Sequence, residues 1–228
     1  MSIYFVSFGN EMYKNSRIRI KNEVESLNLV DNIKIYTEHD LFNMPDFWDK
    51  HKTFILSNKR GYGYWIWKSY LIMKMLNEMN DNDILIYADA GCEISLQLKA
   101  YMKHIIELTN TTETGIISVE TGCIEKMWTK EDLFNYLDCD NLKDTNQLHA
   151  TFFFIRKCVH SIFIVNEWYR ISCIYSLLDD SQSSLPNSKI FQEHRHDQSI
   201  FSLLRKKYGT YIISEGGYIP ILGSRIRN

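Results

Sequence analysis

The apolar run Ile84–Tyr87 constrains the fold more than any other part of this 228-residue sequence. It leads directly into Asp89, Gly91 and Glu93, and a continuous apolar run of this kind is typical of a buried strand in a parallel sheet. Ligands of open α/β sheets bind outside the carboxyl ends of such strands. Asp89 is therefore expected either at a ligand site, where Glu93 adds an oxygen ligand for a divalent cation, or as the cap of the next helix.

Short apolar runs alternate with helix-type spacings along the chain. This alternation predicts a single α/β domain over residues 1–228, with a mostly parallel central sheet flanked by helices. The predicted strands are 3–8, 33–36, 84–87, 115–119, 150–156 and 211–214, the last ended by Gly216-Gly217. The predicted helices are 15–29, 44–52, 65–79, 96–108, 130–137, 159–178 and 197–208, and 37–40 and 179–189 are predicted loops.

Charge and cysteine content restrict the partners and the compartment. A formal net charge of −2 gives no electrostatic reason to expect nucleic acid. No apolar run approaches the ~18 residues of a membrane span. The amino terminus lacks the basic region and the cleavage site of a signal peptide. The five cysteines are odd in number and widely spaced, which argues against a zinc site or a disulfide framework and predicts a cytoplasmic protein.

A segment rich in glycine and aromatic residues, residues 60–68 (RGYGYWIWK), carries the second signal. Its two glycines permit a tight turn, but the segment has no P-loop pattern. Lys68 near a helix start suits a phosphate, and the aromatic rings suit a base or a sugar. The alternative is that Trp65 and Trp67 anchor a core helix.

Polar residues 193–199 (EHRHDQS) stand directly before an apolar helical pattern and carry the third signal. Asp197 or His196 is expected at the helix amino terminus, where the helix dipole favours a carboxylate. A histidine there suits metal binding or proton transfer, and the alternative is capping by Asp197 with solvated histidines. His-x-His alone is weak evidence for zinc.

A weaker signal precedes the predicted strand 150–156. His149 and Thr151 either face an acceptor or belong to a loop. Arg17 and Arg19 are candidates for a base or phosphate contact, or are solvated on a helix face. The sequence has neither a Gly-x-Ser-x-Gly elbow nor a Gly-x-Gly-x-x-Gly loop after the first strand, so hydrolase-triad and Rossmann interpretations lack support.

Taken together, the motifs GYGYWIWK (61–68), IYADAGCE (86–93) and HRHDQS (194–199) resemble small GT-A-type glycosyltransferases of large DNA viruses and bacterial polysaccharide clusters. The resemblance spans about residues 3–218. It implies transfer of a hexose from a nucleoside diphosphate sugar, UDP-linked by preference, to a glycan or other hydroxyl acceptor in polysaccharide biosynthesis. It also implies a donor-binding half at about 1–95, an acceptor and catalytic half at about 96–228, and host cytoplasm for a viral enzyme.

The resemblance also implies roles for individual residues. Asp89 matches the first carboxylate of the Asp-x-Asp signature, whereas Gly91 stands at the second, so Glu93 and His196 are the expected further ligands of Mn²⁺ or Mg²⁺. Asp197 is the first candidate for the catalytic base and His196 the second. The implied donor-binding residues are Ser7, Phe8, Arg17, Tyr64, Trp65, Trp67, Lys68, Asp89, Ala90 and Gly91, and the implied acceptor-binding residues are His149, Thr151 and His194.

Two other functions compete with this interpretation. A sugar-phosphate nucleotidylyltransferase requires a glycine-rich basic loop after the first strand, and residues 7–11 (SFGNE) do not provide one. A catalytically silent carbohydrate- or nucleotide-sugar-binding module on the same fold is the alternative that remains, because the second aspartate is missing.

Overall fold

The computed structural model describes residues 1–214 and 219–224, so the Gly216-Gly217 pair lies outside the described residues. The strands are β1 (Ile3–Phe8), β2 (Asn32–Tyr36), β3 (Ile84–Ala88), β4 (Glu93–Ile94), β5 (Ile116–Ile124), β6 (Asn146–Leu148), β7 (Phe152–Arg156), β8 (Tyr211–Ile213) and β9 (Ile221–Leu222). The helices are α1 (Lys14–Leu27), α2 (Glu38–Phe42), α3 (Pro45–Ser57), α4 (Gly61–Tyr64), α5 (Ile66–Glu78), α6 (Lys99–Thr111), α7 (Glu125–Trp128), α8 (Glu131–Leu137), α9 (Val159–Ser172), α10 (Tyr175–Leu178) and α11 (Asp197–Tyr208).

Seven strands form the main sheet, in the order β2-β1-β3-β7-β5-β6 with β8 beside β5, and β4 pairs with β9 in a small second sheet. Strand β1 runs parallel to both β2 and β3, and β8 runs parallel to β5. The pairs β3–β7, β5–β7 and β5–β6 are antiparallel. Because β1 and β3 are parallel neighbours, the loops that follow Phe8 and Ala88 leave the sheet at the same edge.

Each face of the sheet is covered by its own apolar cluster. Successive side chains of a strand point to opposite faces, so Leu85 joins one cluster and Ile86 the other. The first cluster contains residues of α5, α9 and α11, and the second contains residues of α1 and α6. All five residues of β3 are buried, as expected of a strand covered on both faces.

Most predicted elements are confirmed to within a few residues, and the exceptions have local causes. The predicted loop 37–40 is wrong, because Thr37 begins α2 through a capping box in which the Asp40 amide donates to Thr37 Oγ1 and the Asp40 carboxylate accepts from the Thr37 amide. The predicted helix 159–178 is interrupted between α9 and α10. The sequence did not predict the short elements β4, β6, β9 and α7. None of the helices in the described part of the chain combines the length and apolar character of a membrane span.

Candidate active site

A cavity of about 670 Å³ opens at the carboxyl ends of β1 and β3, within the range of ~300–1,000 Å³ typical of small-molecule sites. Residues that follow both strands line it, as do the start of α5 and the start of α11. The sequence-predicted residues that line this cavity are Phe8, Trp65, Trp67, Lys68, Asp89, Ala90, Gly91, His149, Thr151, His196 and Asp197.

The Lys68 ammonium lies between two carboxylates at the back of the cavity. Its Nζ is 3.1 Å from Asp89 Oδ1 and 3.0 Å from Asp197 Oδ2, and it donates to the Ala150 carbonyl at 3.1 Å. The Tyr87 hydroxyl donates to Asp89 Oδ1 at 2.6 Å. The chain therefore brings together side chains from β3, α5 and α11 that are far apart in sequence.

Burial and charge act against each other in this cluster. Burial lowers the pKa of Lys68, but the carboxylates of Asp197 and Asp89 outweigh it, so the pKa is raised and the amine stays protonated. Burial raises the pKa of Asp197 to about 6, although the Lys68 ammonium lowers it. Asp197 begins α11, and the Trp168 indole donates to its carbonyl at 3.0 Å, which fixes the backbone of this residue.

The backbone that leads into α5 is left-handed over five consecutive residues. Gly61, Tyr62, Gly63, Tyr64 and Trp65 have φ values of 57°, 54°, 83°, 52° and 60°. L-residues disfavour this conformation by ~1–2 kcal/mol each, and only two of the five are glycine. Strain of this kind persists where the surroundings enforce it, commonly at functional sites. The two glycines were predicted to permit a tight turn, but the left-handed run was not predicted.

His196 is strained as well, with φ 52° and ψ −124° directly before α11. Its ring stacks on Trp65 at 5.4 Å and lies 4.8 Å from the Tyr64 ring. Burial lowers its pKa to about 4, so near neutrality the imidazole is uncharged and Nδ1 donates to the Leu178 carbonyl at 2.8 Å. The 3.6 Å approach of Nε2 to Asp180 is then no ion pair. His196 thus connects the left-handed segment to α11 by packing.

Aromatic rings form one wall of the cavity. Phe8 and Trp67 have ring centroids 3.9 Å apart, and Tyr62 lies 6.1 Å from Phe8. The Trp67 indole donates to the Gly61 carbonyl at 3.0 Å, which fixes the ring. Trp67 therefore anchors the core, where it is 4% exposed, and also lines the cavity.

Charged residues at the rim were missed in the sequence. The Arg60 guanidinium binds Asp180 at 3.1 Å and Glu193 at 2.9 Å. The Arg195 guanidinium lies 4.0 Å from the Trp128 ring centroid. The partners of Arg60 both come from 179–196, a segment with no helix or strand, and each lies more than a hundred residues from Arg60 in the chain. The available signal was Arg60 itself, at the start of the glycine-rich and aromatic motif.

Asn10, which follows β1, was also missed. It lines the cavity, and its Oδ1 is buried without a hydrogen-bond partner in the described part of the chain. A buried amide oxygen without a partner costs ~1–3 kcal/mol, which a ligand donor would recover. The position directly after the first strand was the available signal.

Five predicted site residues do not line the cavity. Ser7 precedes Phe8, so its side chain points to the opposite face of β1. Arg17 passes behind Gly9, where an added Cβ would lie 3.0 Å from Arg17 Cγ. Tyr64 packs on His196, and Glu93 belongs to β4, where it pairs with Leu222 of β9 in the small sheet. His194 is a correction to the predicted acceptor site: both its ring nitrogens bond to the backbone, at Lys130 and Leu177.

The expected metal ligands are not brought together. Within residues 1–214 and 219–224, no group of three His, Cys, Asp or Glu side chains could hold a metal ion. Asp89 Oδ1 is occupied by Tyr87 and Lys68, His196 Nδ1 bonds to the Leu178 carbonyl while Nε2 lies 3.6 Å from Asp180, and Glu93 lies outside the cavity lining. The arrangement of Asp89, Glu93 and His196 therefore does not fit a metal ion held by these three side chains.

Comparisons with known proteins support the fold. No protein family model matches the sequence, and no curated protein matches it. The apo crystal structure of mouse xyloside xylosyltransferase 1 has a TM-score of 0.51 at 8% identity, covering 94% of this chain and 85% of that one. A glycosyltransferase involved in glycosylation of the PBCV-1 major capsid has a TM-score of 0.45 at 10% identity, with 94% and 81% covered. The galactosyltransferase LgtC, in complex with donor and acceptor sugar analogs, has a TM-score of 0.46 at 14% identity, with 92% and 72% covered.

The match to the xylosyltransferase is the one with a TM-score above 0.5 among these three, and at 8% identity it shows a shared fold. The predicted fold class, an α/β sheet flanked by helices of the GT-A type, is therefore confirmed. The cavity lies at the half of the main sheet formed by the parallel strands β2, β1 and β3, and β8 beside β5 is the further parallel pair.

Proposed function

We propose that this protein is a glycosyltransferase that moves a sugar from a nucleoside diphosphate sugar to a hydroxyl acceptor. The observation that carries the proposal is the Asp89–Lys68–Asp197 cluster in a cavity at the carboxyl ends of two adjacent parallel strands. Nucleotides bind at this edge in open α/β sheets. The shared fold with a xylosyltransferase supports the same class of reaction.

The cavity wall suits each part of such a donor. Aromatic rings of Phe8 and Trp67 offer flat faces to a base or a sugar ring. The unpartnered Asn10 Oδ1 suits an N–H or O–H donor of a nucleoside, and the N3–H of uracil is one such donor. Arg60 and Arg195 at the rim bring positive charge toward a diphosphate.

Transfer requires a base beside the acceptor hydroxyl and stabilisation of the leaving diphosphate. As the acceptor oxygen bonds to the anomeric carbon, the bond from that carbon to the phosphate oxygen breaks, and the diphosphate leaves with the electron pair. The acceptor proton passes to Asp197, whose pKa of about 6 suits a base that operates near neutrality. Asp89, one-third exposed and held by Tyr87 and Lys68 through Oδ1, directs its other oxygen to a sugar hydroxyl.

A nucleotide screen by thermal shift, followed by an assay of nucleoside diphosphate release, tests the proposal. UDP and UDP-sugars are expected to raise the Tm by mass action, and a UDP-sugar is expected to release UDP. Asp89→Ala is expected to abolish release and also to lower the Tm, because it removes one of the two carboxylates that pair with the buried Lys68 ammonium. Release is therefore assayed at a temperature where the variant is folded. Asp81→Ala, at an 84% exposed side chain, is the matched control.

Each outcome decides between functions. Tm shifts by nucleotides without release, with any acceptor mixture, would favour a catalytically silent nucleotide-sugar-binding module on the same fold. Absence of a shift with every nucleoside diphosphate would contradict both. Unchanged release in Asp89→Ala would remove this residue from the donor site.

A further inference from the structure

Three oxygen atoms lie close to the Lys68 ammonium. They are Asp89 Oδ1, Asp197 Oδ2 and the Ala150 carbonyl oxygen, at 3.1, 3.0 and 3.1 Å, and we call them the oxygen cage. The ammonium donates a hydrogen bond to the Ala150 carbonyl and forms ion pairs with the two carboxylates. Lys68 is 2% exposed, so water does not compete for these contacts.

Separate elements of the fold build the oxygen cage. Asp89 follows β3 and is held from behind by the Tyr87 hydroxyl at 2.6 Å. Asp197 begins α11. Ala150 lies between β6 and β7, and its backbone amide donates a hydrogen bond to Gln198 Oε1 at 3.1 Å, which holds the backbone of Ala150 in place. Contacts with Tyr87 and Gln198 and the start of α11 therefore position the three oxygen atoms in addition to their contacts with Lys68.

Two carboxylates and a carbonyl are also the donor set that a hard divalent cation prefers. We propose that the Lys68 ammonium is the resident cation of the oxygen cage, and that the protein binds its nucleotide donor without a divalent metal. The second part of this proposal rests on the proposed function. It replaces the expectation of Mn²⁺ or Mg²⁺, whose predicted ligands Glu93 and His196 do not join Asp89.

Charge around the cavity is compatible with a diphosphate in the absence of a metal. The two carboxylates of the oxygen cage exceed the charge of Lys68 by one, which alone would repel an anion. Other charged residues offset this excess, since Lys59, Arg60 and Arg195 accompany Glu193, and Arg60 also pairs with Asp180. When Asp89 and Asp197 are both ionised, the charges of the lining residues and Asp180 therefore balance, and no net negative charge repels an anion.

Removal of the ammonium should convert the oxygen cage into a metal site. In Lys68→Ala the two carboxylates remain, and Mn²⁺ is expected to bind at least ~10-fold more tightly than to the wild type, in which binding should be weaker than ~1 mM. Mn²⁺ alone is titrated into the full chain and followed by electron paramagnetic resonance. Lys74→Ala, on the exposed side of the same helix, is the matched control and should behave as the wild type. Lys68→Ala combined with Asp197→Asn should lose the gained affinity.

The donor part is tested on the wild type by titration of UDP with EDTA and with Mn²⁺. Equal affinity in both conditions is expected, and a need for Mn²⁺ would overturn the proposal. Wild-type protein that binds Mn²⁺ as tightly as folded Lys68→Ala would also overturn it. If Lys68→Ala does not fold, Lys68→Met keeps the apolar stem and takes its place. Should no nucleotide bind at all, the proposed function fails, while the Mn²⁺ titration still decides the role of the oxygen cage.

Discussion

Acidification is expected to destabilise this protein through histidines that are buried in the neutral form, and His51 allows the effect to be measured at one residue. His51 is fully buried in α3, with Nδ1 2.9 Å from the Tyr175 hydroxyl and Nε2 3.1 Å from the Tyr169 hydroxyl. Burial and, to a lesser degree, Lys50 lower its pKa to about 4. In the unfolded chain a histidine has a pKa of ~6.5.

The sign and size of the effect follow from these two values. Between about pH 6.5 and pH 4 the unfolded chain binds a proton at His51 and the folded chain does not, so the free energy of unfolding decreases as the pH falls through this window. The slope approaches ~1.4 kcal/mol per pH unit for one histidine, and the loss at about pH 5 is on the order of 2 kcal/mol. Burial also lowers the pKa of His149 and His196 to about 4 and holds that of His194 well below its usual value, so the slope of the whole protein should be steeper than that of one residue.

Urea unfolding of His51→Gln and of the wild type, at several pH values between about 7.5 and 5, isolates the His51 contribution. Glutamine keeps a donor and an acceptor for the two tyrosine hydroxyls but does not titrate. The difference in unfolding free energy between the two proteins should therefore shift in favour of the variant by on the order of 2 kcal/mol toward about pH 5. His104→Gln, at an exposed position of α6, is the control. A pH dependence in His51→Gln that equals the wild type would refute the assignment of this window to His51.

Three further predictions address the site. Asp197→Asn should keep its affinity for UDP but lower the transfer rate at least ~100-fold. The transfer rate of the wild type should decline as the pH falls through about 6, because Asp197 is then protonated. Loss of UDP binding in the variant would instead make Asp197 a donor contact. Gly61→Ala should destabilise the fold by ~2–5 kcal/mol, measured by urea unfolding. The cause is that Gly61 has a φ of +57° and that the new Cβ would lie 2.3 Å from Trp65 Cε3. An unchanged unfolding free energy would contradict the left-handed geometry. Arg205→Lys should cost ~1–3 kcal/mol, because one ammonium cannot reproduce the guanidinium contacts to Ser118 and the His149 carbonyl; an unchanged urea midpoint would refute this.

Much of the fold follows from local patterns in the sequence. The helix predicted over 197–208 has those same bounds in the structure, because a carboxylate at its first position and apolar residues such as Ile200 and Leu204 on one face specify both its start and its orientation. The continuous apolar run of β3 likewise predicted a buried strand with Asp89 at its carboxyl end. The sequence also contains the signal for the start of α2, although residues 37–40 were predicted as a loop. Thr37 and Asp40 have the spacing of a capping box.

The rest of the site depends on contacts that no local rule provides. Arg60 reaches Asp180 and Glu193 from a distant part of the chain, and a single sequence does not reveal which charges meet. His194 and His196 are both part of one polar motif, yet the fold buries each against backbone carbonyls, at Leu177 and Leu178. The histidine-rich motif before a helix therefore indicated a segment that reaches the cavity, but not which of its side chains line it.

The left-handed segment and the buried ammonium depend on each other. A lysine that is 2% exposed is strongly unfavourable unless its charge is paired, and the carboxylates of Asp89 and Asp197 provide that pairing. Lys68 is in the first turn of α5, so its position depends on how residues 61–65 enter this helix. A right-handed entry would relieve ~1–2 kcal/mol of strain for each non-glycine residue, but it would move Lys68 away from both carboxylates and leave them uncompensated. The strain of the three non-glycine residues is ~3–6 kcal/mol in sum, and an unpaired buried charge costs ~3–5 kcal/mol. The two terms are of the same size, so the pairing of Lys68 with both carboxylates offsets the strain of the segment that leads into α5.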